Sequence, residues 1–279
     1  MTGSPQAPRC VVFDLDGTLT DSKQPLAPRM AAGLRDLLEL RPVAITTGGT
    51  WELMDAQVLR HLDAPEPLLG RLYLLPASGT CAYHRVDGVW LRQYSRDLSA
   101  EQKVRIVDTL LSVAAELEIL VADPWGELIE DRGGQVTYSV LGQRAPLAVK
   151  EAWDPDGSSK EALRQLVQER LPDMAVRSGR STSVDVTRPG VDKAYGVREL
   201  ARSLELPLST VTYVGDRLGT GGNDEPVRSL QEVICIEVRS WQQTAAWVEA
   251  LVARARHDGP ERDREPLADS PTAATGSHR

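Results

Sequence analysis

The stretch CVVFDLDGT, residues 10–18, decides the fold. It begins with a short apolar run, typical of a buried strand, which is followed directly by the carboxylates Asp14 and Asp16 and by Gly17. Carboxylates that follow a buried strand so closely indicate a functional site at the end of that strand.

Predicted helices and apolar strands alternate on both sides of this stretch. In chain order they are a helix at 25–40, a strand at 42–49, a helix at 193–206, and strands at 210–216 and 233–238. This alternation predicts an α/β fold with a doubly wound parallel sheet. Since ligands bind at the carboxyl ends of strands in such sheets, we expect Asp14, Thr47 and Asp216 to converge on one crevice.

The middle of the chain has a different pattern. Its predicted elements are an amphipathic helix at 98–119, an exposed alternating strand at 130–142, a helix at 159–171 and an alternating strand at 181–188. We therefore expect an α+β cap domain that is inserted into the core. The predicted bounds are 1–94 and 188–256 for the two parts of the core, 95–187 for the cap, and 257–279 for a polar, disordered tail. Hinges are expected near 92–96 and near 188–190.

Asp14 and Asp16 suit the roles of nucleophile and acid/base in phosphoryl transfer. Carboxylates one residue apart on an extended segment point to opposite sides, but a turn at Gly17 can direct both to one ligand. Asp14 can then attack phosphorus and form an aspartyl phosphate, while Asp16 protonates the leaving oxygen and later deprotonates the incoming hydroxyl or water. A simple turn or helix cap is the alternative that these residues leave open.

A second acidic cluster, GDRLGTGGND, occupies residues 215–224 after another predicted strand. Carboxylate oxygens such as those of Asp216 and Asp224 are hard ligands of the kind that Mg²⁺ prefers. We predict that Asp14, Asp216 and the main-chain carbonyl of Asp16 hold the ion, with Asp224 as a further ligand or as a support of the site. A glycine-rich surface turn without a metal is the alternative.

Thr47, Gly48, Gly49 and Lys193 complete the predicted phosphate pocket. The hydroxyl of Thr47 and the glycine amides can donate to phosphoryl oxygens, and the ammonium of Lys193 can offset their charge. Each feature also has an alternative without a phosphate, because Thr-Gly-Gly is a common turn at the end of a strand and a lysine at a helix start is usually solvated. Their order along the chain favours the phosphate pocket.

Composition argues against several other functions. The formal net charge of -8 leaves no concentrated basic surface for nucleic acid. No segment approaches the roughly 20 apolar residues of a membrane span, and the amino terminus lacks the profile of a signal peptide, so we expect a cytoplasmic protein without a membrane partner. The 3 cysteines and 4 histidines lack the spacing of a disulfide framework or a zinc site.

The motif order resembles that of the haloacid dehalogenase (HAD) superfamily: DLDGT, a strand ending in TG, a lysine before a helix, and GD with a later ND. More closely, AITTGGTW, YLLPASGTCAYHRVDGVWL, VDVTRPGVDKAYGVREL and YVGDRLGTGGNDEPV look like the eukaryotic-type phosphomannomutases and their bacterial relatives with a type C2b cap. The resemblance implies Asp14 as nucleophile, Asp16 as acid/base, and Thr47 and Lys193 on the transferring phosphate. It also implies Mg²⁺ on Asp14, Asp16 and Asp216.

In those mutases the cap holds the far phosphate of the sugar with arginines, a serine and an aspartate. Ser183 and Asp185 match the last pair, and Arg132 stands where the first cap arginine falls. Three further positions depart from the usual arginines: Lys23, Gln143 and Lys150. Arg144 can take one of these places. Since lysine acts as a point charge whereas arginine offers paired donors, the second-phosphate site is predicted to be weakened. Polar side chains on the wet face of a sheet are the alternative for the cap residues.

Three functions are compatible with these residues. The leading hypothesis is a Mg²⁺-dependent sugar phosphatase, in which water releases phosphate from Asp14. The alternative is a phosphomannomutase that interconverts hexose 6-phosphate and 1-phosphate, and the third is a sugar-phosphate binding protein without activity, which the intact motifs disfavour. The expected partner is a small phosphorylated sugar, over which the cap closes, and the resemblance is compatible with a homodimer through the cap.

Overall fold

The computed structural model describes residues 7–179 and 182–258. The strands are β1 (Cys10–Asp14), β2 (Val43–Thr46), β3 (Leu72–Leu75), β4 (Cys81–Val86), β5 (Val89–Ser95), β6 (Ile129–Asp131), β7 (Gln135–Ser139), β8 (Ala175–Ser178), β9 (Ser183–Thr187), β10 (Val211–Gly215) and β11 (Ile234–Glu237). The helices are α1 (Pro28–Leu40), α2 (Trp51–Met54), α3 (Arg60–Leu62), α4 (Glu66–Leu69), α5 (Ala100–Glu116), α6 (Leu147–Trp153), α7 (Ser158–Arg170), α8 (Lys193–Ser203) and α9 (Trp241–Asp258).

A seven-stranded sheet in the order β11-β10-β1-β2-β3-β4-β5 forms the core. The first five strands of this order pair in parallel, and β4 and β5 add an antiparallel hairpin at one edge. The hairpin turns at Asp87 and Gly88, which both have positive φ and form the Asp-Gly pair that two-residue hairpins favour. The predicted α/β class with a doubly wound sheet is confirmed, although the sequence analysis did not place β3, β4 or β5.

Helices cover both faces of this sheet. Val11 and Phe13 pack with residues of α1 and α9 on one face, whereas Cys10 and Val12 pack with residues of α8 on the other. Because β1 is covered on both sides, it reads as a continuous apolar run, as parallel strands usually do.

The smaller sheet, in the order β6-β7-β9-β8, is antiparallel and belongs to the cap. Its apolar face, which includes Val136 and Tyr138, packs against α5 and α7 in a hydrophobic cluster of its own. The alternate residues Gln135, Thr137 and Ser139 of β7 are also buried, and they face the core. The prediction of one exposed strand at 130–142 is therefore wrong, because a turn divides it into β6 and β7 and the core covers the polar side of β7.

The connections between core and cap differ in part from the predicted hinges. Residues 92–95 still belong to β5 in the core sheet, so the first predicted hinge begins too early and the connection covers 96–99. The second connection, 188–192, includes the predicted hinge at 188–190. Helix α9 extends to Asp258, so the predicted tail begins too early as well, and its remainder, 259–279, lies outside the described residues. None of the described helices has the length and apolarity to cross a membrane.

Candidate active site

Three neighbouring parallel strands bring the predicted catalytic residues together. Asp14 is the last residue of β1 and pairs with Thr46 at the end of β2, while Asp216 directly follows β10 on the other side of β1. The carboxylate oxygens of Asp14, Asp216 and Asp224 include three atoms that all lie within 4.8 Å of one another. The crevice predicted at the strand ends therefore contains a cluster of acidic side chains.

Lys193 lies beneath this cluster and is 1% exposed. It is the first residue of α8, and its ammonium donates to Oδ1 of Asp14 and, over 2.6 Å, to Oδ1 of Asp224. Burial alone would lower the pKa of Lys193, but the two carboxylates raise it above its ordinary value. Lys193 is therefore a permanently charged group that faces Asp14.

Asp224 is held by protein donors on both carboxylate oxygens. Its Oδ1 accepts from Lys193 and from the hydroxyl of Tyr213 at 2.6 Å, and its Oδ2 accepts from the amide of Arg217 at 3.0 Å. Burial acts to raise the pKa of Asp224, but the ammonium of Lys193 holds it below its ordinary value. These contacts favour the role of a support that orients Lys193 over that of a metal ligand.

The cluster fits a magnesium ion. Its donors are carboxylate oxygens, which are the hard ligands that Mg²⁺ prefers. Burial is the main cause that raises the pKa of Asp14, to about 8, and the carboxylates of Asp224 and Asp216 add to it against Lys193. A divalent cation would relieve this repulsion and favour the ionised form of Asp14.

Asp16 lines the cavity together with Asp14 and directly precedes the turn at Gly17, where φ is 86°. Its Oδ1 accepts from the amide of Lys23 at 2.8 Å and from Nε2 of Gln57 at 3.3 Å. Gln57 is buried in a π-helical stretch, Asp55–Leu59, between α2 and α3. Such stretches are rare and are often found at functional sites. Gln57 is not among the predicted site residues, because its only signal in the sequence is a polar residue among apolar ones.

The loop after β2 presents Thr47, Gly48 and Gly49 to the cavity. The hydroxyl of Thr47 accepts from the amide of Gly49 at 3.0 Å, and the amides of Ala77 and Ser78 donate to the carbonyls of Gly49 and Thr47 at 2.8 and 2.7 Å. Ala77 and Ser78 both have positive φ, at 49° and 58°. Two adjacent residues with this strained backbone indicate that the loop is held firmly in place.

The cap closes the other side of the cavity, which has a volume of about 500 Å³. The predicted residues that line it are Asp14, Asp16, Lys23, Thr47, Gly48, Gly49, Arg132, Gln143, Lys150, Ser183 and Asp185. Lys193, Asp216 and Asp224 lie behind Asp14 and do not line it. The cap residue Arg132 donates to the carbonyl of Gly48 and pairs with Glu130, and Asp185 accepts from Thr137 at 2.7 Å.

Lys23 of the core and Lys150 of the cap meet at the edge of the cavity. Both ammonium groups donate to the carbonyl of Gln143, at 2.8 and 3.2 Å. Burial, with the nearby charge of Lys23, lowers the pKa of Lys150 to about 8. We call Lys23 and Lys150 the lysine pair; both line the cavity and can bring positive charge to it.

Comparison with known proteins identifies the family. A family model of eukaryotic phosphomannomutase matches residues 35–254. The chain belongs to this family. It is 26% identical over 219 residues to a phosphomannomutase of Schizosaccharomyces pombe, covering 77% of this chain and 82% of the relative. It is 23% identical over 260 residues to a probable phosphomannomutase of Caenorhabditis elegans, covering 90% and 98%.

Solved structures show the same fold at low identity. The IMP-bound IMP-nucleotidase of Plasmodium falciparum matches 88% of this chain and 68% of its own, with a TM-score of 0.65 and 15% identity. The C-terminal domain of Candida albicans trehalose-6-phosphate phosphatase matches 89% and 94%, with a TM-score of 0.62 and 14% identity. The chain is a phosphomannomutase-like member of the HAD superfamily and an enzyme of phosphoryl transfer.

We expect the substitution Lys193→Met to lower both activity and stability. It leaves buried carboxylates facing one another without their cation, which costs about 3–5 kcal/mol of unfolding free energy, and it removes a charge that stabilises the transferring group, which costs about 100- to 1,000-fold in turnover. Denaturant unfolding and steady-state kinetics measure the two effects, and added Mg²⁺ should recover part of the stability.

The matched control is Arg202→Met in the same helix, where Arg202 is 76% exposed and pairs with Glu199. This variant should unfold at the denaturant concentration of the unmodified protein and keep its activity. If Lys193→Met were as stable as Arg202→Met in the absence of Mg²⁺, the buried charges would not be coupled as described.

Proposed function

We propose that this protein is a Mg²⁺-dependent phosphatase of a phosphorylated sugar that works through an aspartyl phosphate on Asp14. The observation that carries the proposal is the position of Asp14, which is 3% exposed. It lines the cavity between core and cap next to the loop of Thr47, and its Oδ1 accepts from the buried ammonium of Lys193. A carboxylate in this position can meet a phosphoryl group that enters from the cap side.

In the first step, a carboxylate oxygen of Asp14 forms a bond to phosphorus while the bond from phosphorus to the sugar oxygen breaks. Asp16 gives its proton to the departing oxygen. The Oδ1 atom of Asp16 is held in place by the main-chain amide of Lys23 and the side-chain amide of Gln57. Lys193 and the Thr47 loop stabilise the negative charge on the phosphoryl oxygens. In the second step, Asp16 takes a proton from water, which attacks phosphorus and releases Asp14 and inorganic phosphate.

Magnesium is part of this proposal. Asp14, Asp216 and the main-chain carbonyl of Asp16 would hold the ion, and Asp224 would keep Lys193 and the loop in place. When bound, Mg²⁺ neutralises negative charge on the phosphoryl group.

The choice of water over a second sugar hydroxyl rests on the cap. The guanidinium of Arg132 is already hydrogen-bonded to Glu130 and to the carbonyl of Gly48. The lysine pair stands in place of the paired donors that an arginine would supply. A sugar bisphosphate is therefore held weakly at its second phosphate, and water can complete the reaction.

A phosphomannomutase is the second candidate, and specific observations favour it. The family match and the relatives named phosphomannomutase support it, and Arg132, Ser183 and Asp185 all line the cavity. In that reaction the aspartyl phosphate would give its phosphoryl group to the sugar monophosphate. The resulting bisphosphate would turn around and transfer the phosphoryl group at its other end to Asp14.

Product analysis separates the two reactions. Mannose 1-phosphate and glucose 1-phosphate, with Mg²⁺ and a trace of the 1,6-bisphosphate, should give inorganic phosphate rather than 6-phosphate, and chelation of Mg²⁺ should stop the reaction.

Asp14→Asn should abolish turnover because the amide is nearly isosteric but a poor nucleophile. Asp87→Asn, an exposed change in the β4–β5 turn, is the control. Formation of 6-phosphate without phosphate release would exclude the phosphatase, and turnover by Asp14→Asn would exclude Asp14 as nucleophile.

We expect substrate binding to weaken as pH rises through about 8, the pKa of Lys150. A lysine with a lowered pKa carries its charge below that pKa and loses it above, so attraction for an anionic or hydroxyl-rich substrate end declines at alkaline pH. The Michaelis constant, measured from pH 6.5 to 9.5, should rise in this range.

In the variant Lys150→Gln the Michaelis constant should be high at every pH and vary less with pH. The control is Lys103→Gln on α5, whose ammonium pairs with Asp131 at 2.9 Å on the cap and does not line the cavity. Identical pH profiles for Lys150→Gln and the unmodified protein would rule out this role.

A cytoplasmic location and a homodimer through the cap complete the proposal. The resemblance to phosphomannomutases supports the dimer, and Val104 on α5 offers an apolar side chain that is 62% exposed on the outer side of the cap. Light scattering at micromolar protein concentration should give twice the chain mass of 30.5 kDa. The mass of a single chain would exclude the dimer under these conditions.

A further inference from the structure

An ion pair joins the cap to the start of the helix that carries Lys193. Arg177 lies on β8 of the cap, and its Nη2 donates to Oδ2 of Asp192 at 2.7 Å. Asp192 is the N-cap residue of α8, and its other oxygen accepts from the amide of Tyr195 at 3.1 Å. One carboxylate therefore holds the first turn of α8 with one oxygen and the cap with the other.

The position of Asp192 makes this contact relevant to the chemistry. Lys193 follows it directly as the first helical residue, and the first turn of a helix is the part whose amides lack partners within the helix. A change in that turn moves the point from which the lysine side chain reaches Asp14. Arg177, Asp192 and Lys193 also line the same small cavity between cap and core, of about 10 Å³.

Because the ion pair is partly exposed, its loss should change the free energy of unfolding little, so an effect on catalysis can be told apart from an effect on stability. The side chains of Arg177 and Asp192 are 38% and 12% exposed, and ion pairs with one partner in solvent contribute little to the free energy of unfolding. Arg177 reaches Asp192 only from the cap, so the contact exists when the cap lies on the core. The described structure has this contact with the cap on the core, so the effect of the pair is expected in this closed form with or without substrate.

We propose that Arg177 is a positioning residue, which engages Asp192 when the cap is closed, fixes the first turn of α8 and so holds the ammonium of Lys193 against Asp14. This inference rests on the proposed phosphoryl transfer at Asp14. It links closure of the cap to the alignment of the charge that the transferring phosphoryl group meets.

Kinetics of Arg177→Gln test the link. We expect kcat to fall by about 10- to 100-fold, since small misplacements of catalytic groups have effects of this size, with the Michaelis constant changed less than about twofold. Arg177→Lys should regain part of kcat. Asp192→Asn retains a good N-cap residue but loses the ion pair, so it should behave like Arg177→Gln. The double variant should be no slower than either single one, because the two side chains act as one unit.

The matched control is Arg170→Gln, which removes an exposed ion pair with Glu116 that lies wholly within the cap. It should leave kcat unchanged. A kcat for Arg177→Gln equal to that of Arg170→Gln, or effects of Arg177→Gln and Asp192→Asn that multiply in the double variant, would overturn the inference.

Hydrogen exchange separates this inference from the proposed function, because it needs no turnover. In the protein without substrate, amides at 193–197 should exchange faster in Arg177→Gln than in Arg170→Gln, while those of the central sheet exchange alike. Equal exchange at 193–197 would refute the positioning role even if the enzyme proves active. Faster exchange there would support it even if the substrate is not a sugar phosphate.

Discussion

The contact of the Lys193 ammonium with two buried carboxylates is the interaction on which the rest of the site depends. Carboxylates can share the interior of a protein only where positive charge is supplied at the same place. Lys193 supplies one such charge to Asp14 and Asp224, and Asp216 adds a third acid nearby. With all three ionised, the cluster keeps an excess of negative charge, which a divalent cation can balance. Asp14, Lys193 and the proposed metal site are thus parts of one charge distribution.

Core and cap divide the work of the enzyme between them. The parallel sheet supplies the reactive groups at the ends of neighbouring strands, where backbone hydrogen bonds fix their spacing. The cap supplies the polar face of β7 and β9, which determines what fits above Asp14. Family membership and the core motifs agree on phosphoryl transfer, while in the proposed function the acceptor of the phosphoryl group depends on cap side chains.

Residues next to strand ends were predictable from the sequence. Asp14, Thr47 and Asp216 each follow a short apolar run, and the rules of parallel sheets place such positions together. Gln57 and Tyr213 were not predictable in this way, because their roles arise from side-chain contacts with Asp16 and Asp224 that no local pattern shows. The same limit applies to the cap.

Polar and apolar residues alternate along β7, which shows that the strand has two faces. The alternation does not show that the core covers the polar face. Its strand was therefore predicted to be exposed, whereas both faces are buried. The first hinge was placed too early for a related reason, since the edge strand β5 is mostly exposed and lacks the apolar pattern of a core strand. Burial of a polar face is decided by the neighbouring domain, about which the local pattern carries no information.

The hydrophobic clusters of core and cap are separate, and the contacts between the two are largely polar, such as those of Arg132 and Gln135 with the carbonyl of Gly48. Lifting the cap therefore exchanges hydrogen bonds for water and uncovers little apolar surface. Since the heat-capacity change of such a step follows the apolar area exposed, the enthalpy of raising the cap would stay nearly constant with temperature. The balance between raised and lowered cap would then follow a straight van 't Hoff line in cold and in warm surroundings.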